Sequence, residues 1–443
     1  MKSTALFSRR HFLKAAATFT ATAPLLLPAR LWSEATPPSG RLTMGFIGLG
    51  TQGRGLMRGF LGRETRVLAV CDVDTTRRTD AKQIVDQAYG NSDCAAGNDF
   101  REVIARKDID AVCIATPDHW HAIPMLAALR SGKDVYCEKP LTHNIHEAIE
   151  VMKAVDANQR VLQTGSMQRS MKEFRVACEL VRNGVIGKIQ KVDCSFGDPG
   201  RPCDLKEESP EPGLDWNFWC GPAPLRGYSS VLSPRGVHKG FPAWRDYLEY
   251  GSGGVGDWGA HHVDIAQWGL GMDHSGPVEV LPADAPRAKR GAKLVYANGI
   301  TVEHVDGFGV QFFGADGEVL VNRGQFVLLL DGQPVASYRG RQDTDTNCAA
   351  QVQLAERKFL QDAKVRLYAS SDHLSDFLDC VKTRKKPITS EQVGARSAIC
   401  CHLLNQSYYH HAHLKWDPFK LEFAGGTGDP QWLTRDYRAP WSV

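Results

Sequence analysis

The chain has 443 residues, 42% of them apolar and 23% charged, a globular composition that excludes disorder and fibrous classes. Its formal charge of +3 is concentrated at the N-terminus, where Lys2, Arg9, Arg10, Lys14 and Arg30 are opposed only by Glu34. The rest is near neutral, with no basic stripe and no aromatic residues interleaved with Lys or Arg, which excludes nucleic acid as a partner.

Ser8-Arg9-Arg10-His11-Phe12-Leu13-Lys14 precedes an apolar stretch from Ala15 to Leu27, and Ser33 and Ala35 follow at the spacing of a signal-peptidase site. Residues 1–35 therefore read as a twin-arginine signal, and the expected location is periplasmic or secreted. The apolar run is shorter than the about 20 residues that span a bilayer, so no membrane contact is expected after signal removal. Roughly 400 residues remain, enough for two domains.

Past Pro37-Pro38-Ser39-Gly40, short apolar runs at Met44 to Ile47, Val67 to Cys71, Ala111 to Ala115, Val135 to Cys137 and Val161 to Gln163 read as buried strands. Helical periods fit between them at Gly53 to Leu61, Thr76 to Tyr89, Phe100 to Arg106, His121 to Ser131 and Ile145 to Asn158. That alternation predicts a doubly wound parallel sheet, a Rossmann domain over 36–163. A helix from Met171 to Asn183 and a strand from Lys188 to Phe196 open the second domain, 164–443, before a Pro- and Gly-rich tract from Asp198 to Pro242 that reads as a long functional loop. Leu294 to His304, Gly309 to Phe313, Glu318 to Asn322 and Phe326 to Leu330 suit an open, mostly antiparallel sheet with hairpin turns at Asn298-Gly299 and Asp316-Gly317. Helices at His373 to Lys382 and Glu391 to His410 complete an α+β domain. Twelve scattered cysteines show no C-x-x-C spacing; mostly free thiols are expected, with one bridge considered among Cys194, Cys203 and Cys220.

Gly48-Leu49-Gly50-Thr51-Gln52-Gly53 follows the first strand and opens a helix, where backbone N–H groups can approach a pyrophosphate without Cβ obstruction. Asp72 closes the second strand about twenty residues on, placed to accept from a ribose diol and repel a 2′-phosphate. NAD is the expected cofactor; Arg77 and Arg78 keep NADP as the alternative. Glu138-Lys139-Pro140 lies at the C-terminal end of the Val135 to Cys137 strand, the sheet edge where ligands collect. An ammonium there can hydrogen-bond a substrate oxygen and favour a developing alkoxide; elsewhere such a pair is a surface ion pair. Gly251 to Asp264 runs from a flexible loop into a helix, with Asp257 and His261 four apart on one face. There the imidazole can take a hydroxyl proton while the carboxylate orients a substrate, and His262 reads as a core residue. His119, His121, His143 and His146, and His410, His411 and His413, lack Cys or Glu partners at ligand spacing, so no metal is expected.

Together the glycine fingerprint, Glu138-Lys139-Pro140 and Gly253 to Asp264 resemble the Gfo/Idh/MocA oxidoreductases, over residues 43 to 443. Thr116-Pro117-Asp118-His119-Trp120-His121, Gln168-Arg169, Trp216 to Pro224 and Lys415-Trp416-Asp417-Pro418 resemble its secreted bacterial branch. The resemblance implies a catalytic trio of Lys139, Asp257 and His261, with cofactor contacts at Gly48, Gly50, Gly53, Asp72, Thr116, Pro117, His121 and Glu138; Thr51, Gln52 and Lys139 adjoin the same site. It implies hydride transfer between a sugar or glycoside and a tightly bound nicotinamide cofactor, because a periplasm has no free NAD pool. A redox-neutral NAD-dependent glycoside hydrolase is the alternative, although such relatives carry a different sequence where this chain has Glu138-Lys139-Pro140. A catalytically silent sugar-binding protein is the third reading. The open sheet offers a pairing face, so a homodimer or homotetramer is expected.

Overall fold

A helix between two strands returns the chain to the same end of a sheet, so the alternation in the first third of the chain builds parallel pairs. The computed structural model describes residues 40–443, and the signal read at 1–35 lies outside the described residues. β1 (Leu42–Ile47), α1 (Thr51–Leu61), β2 (Thr65–Cys71), α2 (Thr75–Tyr89), β3 (Ala95–Gly97), α3 (Phe100–Ala105), β4 (Ala111–Ile114), α4 (Ala122–Arg130), β5 (Asp134–Cys137), α5 (Ile145–Asn158) and β6 (Leu162–Thr164) follow in order. The six strands pair in parallel as β3-β2-β1-β4-β5-β6, so the order reverses between β1 and β4 and leaves a crevice at their carboxyl ends. Asp74, Asp99 and Asn144 cap α2, α3 and α5 through their side-chain oxygens, satisfying amides that have no partner inside the helix.

The second sheet begins after α6 (Lys172–Arg182) with β7 (Ile189–Ser195). Then come α7 (Trp216–Cys220), α8 (Gly253–Asp257), α9 (Gly259–Leu270), β8 (Glu279–Leu281), β9 (Lys293–Val295), β10 (Thr301–Val305), β11 (Val310–Gly314), β12 (Gly317–Asn322), β13 (Gln325–Leu330) and β14 (Gln333–Tyr338). α10 (Cys348–Phe359), α11 (His373–Thr383), α12 (Glu391–His410), β15 (Leu414–Asp417) and β16 (Glu422–Ala424) finish the chain. The ten strands run β14-β13-β12-β11-β7-β10-β9-β8-β15-β16, antiparallel except where β10 lies parallel to β7. Both expected hairpins form, with Gly299 at φ +82° in the β9–β10 turn. β14 gave no sequence signal: it is an edge strand interrupted by Pro334, the setting that tolerates a missing N–H.

α5 packs on α12, and α12 on α9, so residues 42–443 form one compact unit. A continuous apolar core runs from Ile47 and Val112 in the first sheet to Phe312 and Val319 in the second. Residues 198–250 differ from the expected plain loop in having a core of their own, built on Trp219, Leu232, Trp244, Tyr247 and Tyr250. They form a strap across the carboxyl edge of the parallel sheet. Leu214 bridges Asp74, the Asp215 amide donates to the Val73 carbonyl at 2.9 Å, and the Trp120 indole donates to the Trp219 carbonyl at 3.0 Å. All twelve cysteines are free; the bridge considered among Cys194, Cys203 and Cys220 is not formed, with Cys194 in the main core apart from the other two, and Cys203 and Cys220 both unbridged in the strap. Among the described residues no helix is long and apolar enough to cross a membrane.

Candidate active site

No side chain caps α1 and its first turn holds no acidic residue, which leaves its N–H groups and positive dipole end open to a phosphate. A Cβ on Gly48, at φ +85°, would lie 2.6 Å from the Thr116 amide nitrogen, and one on Gly53 would lie 2.0 Å from the Gly48 carbonyl oxygen. Gly50 instead faces open space, with nothing within 4 Å of such a Cβ. Two glycines thus close the turn and the third leaves room for a pyrophosphate. Asp72 accepts the Leu49 amide at 2.6 Å on one carboxylate oxygen and the Asp74 amide at 2.8 Å on the other, while burial pushes its acid up. Each oxygen keeps a lone pair for a ribose hydroxyl.

Arg77 and Arg78 do not form the 2′-phosphate clamp that the sequence left open. Arg77 donates to Ser233 Oγ and the Gly236 carbonyl, both at 3.2 Å, and to the Pro234 carbonyl. Arg78 is held by the Asp72 carbonyl and Asn98 Oδ1. The cleft fits NAD, lined on the sheet side by Gly50, Asp72, Thr116 and Pro117 and on the strap side by Trp219 and Leu232. The Thr51 hydroxyl reaches the Gly240 carbonyl at 2.8 Å, and Arg54 reaches the His238 carbonyl at 2.7 Å, so the strap covers the glycine turn.

Lys139 follows β5, Asp257 ends α8 and His261 lies in the first turn of α9, with Trp258 keeping helical angles between the two helices. All three, with Glu138, line one pocket of about 410 Å³ that shares Gln52 and Thr116 with the cofactor cleft. The Lys139 ammonium donates to the Asp257 carboxylate and, at 3.1 Å, to the Asp257 carbonyl. Burial alone would raise the Asp257 acid, but Lys139 and Arg245, the latter 3.6 Å away, hold it below its ordinary value. The carboxylate therefore orients Lys139 directly, which the i,i+4 spacing to His261 did not reveal. Burial, with Lys139 and Arg323, holds His261 well below the ordinary imidazole range, and its buried Nδ1 has no hydrogen-bond partner. A neutral imidazole with an uncommitted ring nitrogen suits a general base.

Glu138 accepts the Gln52 amide at 2.8 Å and burial pushes it up, joining the glycine turn to the Lys139 loop. His121 lines the pocket, but its ring nitrogens meet the Pro140 and Thr116 carbonyls at 2.8 and 2.9 Å, and burial lowers it to about 4. It braces two loops against each other. His262 Nδ1 meets the Ser195 carbonyl at 2.6 Å, a core role. Among the described residues no three His, Cys, Asp or Glu side chains are grouped to hold a metal.

Two contributions were not read from the sequence. Arg169, 2% exposed, grips both Asp264 oxygens at 2.8 Å and Asp273 at 2.7 Å, pinning α9 and with it His261. Phe241, Trp244 and Arg245 of the strap form the outer wall of the pocket; nothing in their local sequence ties them to Lys139.

The NAD-binding Rossmann fold of the Gfo/Idh/MocA oxidoreductase family matches residues 42–166, and the family's C-terminal alpha/beta domain matches residues 183–443. Alpha-N-acetylgalactosaminidase of Shewanella oneidensis is 31% identical over 231 residues, 48% of this chain and 50% of that protein. Inositol 2-dehydrogenase of Rhodococcus jostii is 34% identical over 116 residues, 26% of this chain and 32% of the relative. The chain thus spans about half the length or less of these curated relatives. Aldose-aldose oxidoreductase from Caulobacter crescentus superposes with a TM-score of 0.56 at 17% identity, covering 85% of this chain and 99% of that one. Levoglucosan dehydrogenase in complex with NADH and L-sorbose gives 0.57 at 17% identity, covering 86% and 100%; these two likenesses concern the fold. With both family domains matched in order across nearly all of the described chain, this protein belongs to the Gfo/Idh/MocA oxidoreductase family and carries its NAD-binding Rossmann domain.

Proposed function

We propose that the protein oxidises a sugar or glycoside with an NAD that stays bound, after export by the twin-arginine signal. The observation that carries this reading is the single pocket in which Lys139, Asp257 and His261 meet at the end of the dinucleotide cleft. When bound, NAD supplies a two-electron acceptor that takes a hydride from a sugar carbon and can return it. His261 takes the proton of the hydroxyl on that carbon. Lys139, oriented by Asp257, donates to the sugar oxygen as negative charge develops there. The strap supports retention, since Thr51, Arg54 and Arg77 hold residues 233–240 beside the dinucleotide cleft through hydrogen bonds.

Retained NAD must regain its starting state on the enzyme, either from a second carbonyl substrate or from the same sugar after rearrangement. The likeness to an alpha-N-acetylgalactosaminidase supports the second course. There, oxidation at C3 acidifies the C2 hydrogen, the aglycone leaves C1 by elimination, water adds, and the ketone is reduced again.

The test is to titrate the purified protein with free sugars and p-nitrophenyl glycosides while following reduced nicotinamide absorbance. Lasting reduction by a free sugar supports the two-substrate oxidoreductase, and nitrophenol release without it supports the redox-neutral glycosidase. Lys139→Met is expected to lower either activity by roughly a thousandfold or more with the cofactor still bound. Sugar binding with no reduction in a single turnover would leave a silent binding protein instead.

A further inference from the structure

We propose that the groove beside the catalytic pocket is a second sugar subsite, so that the substrate is a glycoside or oligosaccharide whose oxidised unit occupies the pocket and whose next unit lies in the groove. This rests on the sugar-acting reading above. Pocket and groove have a common wall of Phe241, Arg245, Asp257 and Trp258. The groove, about 1070 Å³ against 410 Å³ for the pocket, continues between the start of the strap at 197–202 and the loop carrying Arg287 to Lys289. A monosaccharide held against His261 leaves it empty.

Phe241 is 63% exposed and Trp258 42%. A single exposed ring needs no explanation, but these two stand together at the junction of two cavities, one from the strap and one from the catalytic helices. Both are held in place: the Arg245 guanidinium lies 5.3 Å from the Phe241 ring centroid and 4.1 Å from that of Trp244, and Arg323 lies 4.8 Å from that of Trp258. Ordered rings bind without the cost of freezing rotamers. A pyranose presents an apolar C–H face that such rings cover, and a rim of hydroxyls that needs polar partners. Asp246 and Arg287 line the groove and offer a carboxylate and a guanidinium to such hydroxyls. The dinucleotide cleft shares Phe241, Pro242 and Arg245 with the groove, but residues 197–202 and 287–289 line the groove and not that cleft, so this part of the groove is not required for the cofactor.

The experiment compares methyl α-glucoside with maltose, methyl β-glucoside with cellobiose, and methyl β-galactoside with lactose, reading kcat/KM of the NAD-loaded enzyme from oxidation with a second carbonyl compound supplied as hydride acceptor, or from hydrolysis without one. In the series the pocket accepts, the disaccharide is expected to exceed the methyl glycoside 10- to 100-fold. Phe241→Ala, and Ala288→Trp, which fills the groove away from the pocket, should each cut that ratio at least tenfold. Equal kcat/KM within twofold in every accepted series, or a ratio that survives both substitutions, overturns the subsite. If no compound reduces bound NAD or is hydrolysed, the sugar-acting reading fails separately, and calorimetric binding of the same pairs decides the groove. A tenfold affinity gain on lengthening that Ala288→Trp removes supports it, and no gain overturns it.

Discussion

Replacing Arg77 with alanine tests whether the strap retains the cofactor. Arg77 is buried and gives three donors to the strap, to Ser233, Pro234 and Gly236; its ion pair with Asp74 at 3.4 Å lies within the Rossmann half. Hydrogen bonds from a charged donor contribute about 1.5–3 kcal/mol each, and bonds made by one side chain are not additive. About 3 kcal/mol is therefore a reasonable loss for the closed strap relative to the open one. At about 1.4 kcal/mol per factor of ten, the open population, and with it the release rate of NAD, should rise roughly a hundredfold. Protein purified with NAD would be diluted into an excess of a dehydrogenase that reduces released cofactor, giving the dissociation rate directly. Arg77→Lys, which keeps the charge but not the fork, should fall between the two. Identical release rates in wild type and Arg77→Ala, with unchanged circular dichroism, would refute the strap as the barrier to exchange.

Gly53→Ala should abolish NAD retention and lower the melting temperature, because its Cβ would lie 2.0 Å from the Gly48 carbonyl oxygen; a variant that keeps both would contradict the close turn. The acid limb of kcat/KM should lie below pH 6.5, since His261 is held well below that value. His261→Ala should lose about 10²–10⁴ in rate together with that limb, and an unaltered profile would exclude the base role. Global stability should fall as pH drops from 6.5 towards 4. His121, His262, His304 and His402 are each lowered by burial to about 4, so the unfolded chain binds more protons in that window. The loss is on the order of 1–2 kcal/mol per histidine at pH 5, and urea midpoints at pH 7 and 5 that coincide would contradict it.

The first half of the fold was legible because its signals are local. α5 has the expected bounds, as does the long α12 of the second domain, and the glycine turn with Asp72 states its purpose within one βαβ unit. Short elements were not legible: β3 is three small residues and β8 and β16 are three residues each, too few for a period to show. Lys139, Asp257 and His261 were recognised as motif residues, but their spacing did not show that the carboxylate pairs with a lysine 118 positions away.

By itself the sequence determined two sheets, a dinucleotide turn and the residue types of an acid–base site, since periodicity, glycine stereochemistry and strand-end position act over a few residues. Tertiary structure decided the rest. It turned Arg77 from a phosphate clamp into a strap anchor, made His121 a brace, and set Phe241, Trp244 and Arg245 against Lys139. Those outcomes depend on contacts between segments a hundred residues apart, where burial and charge are set by what packs alongside, and no local pattern carries that information.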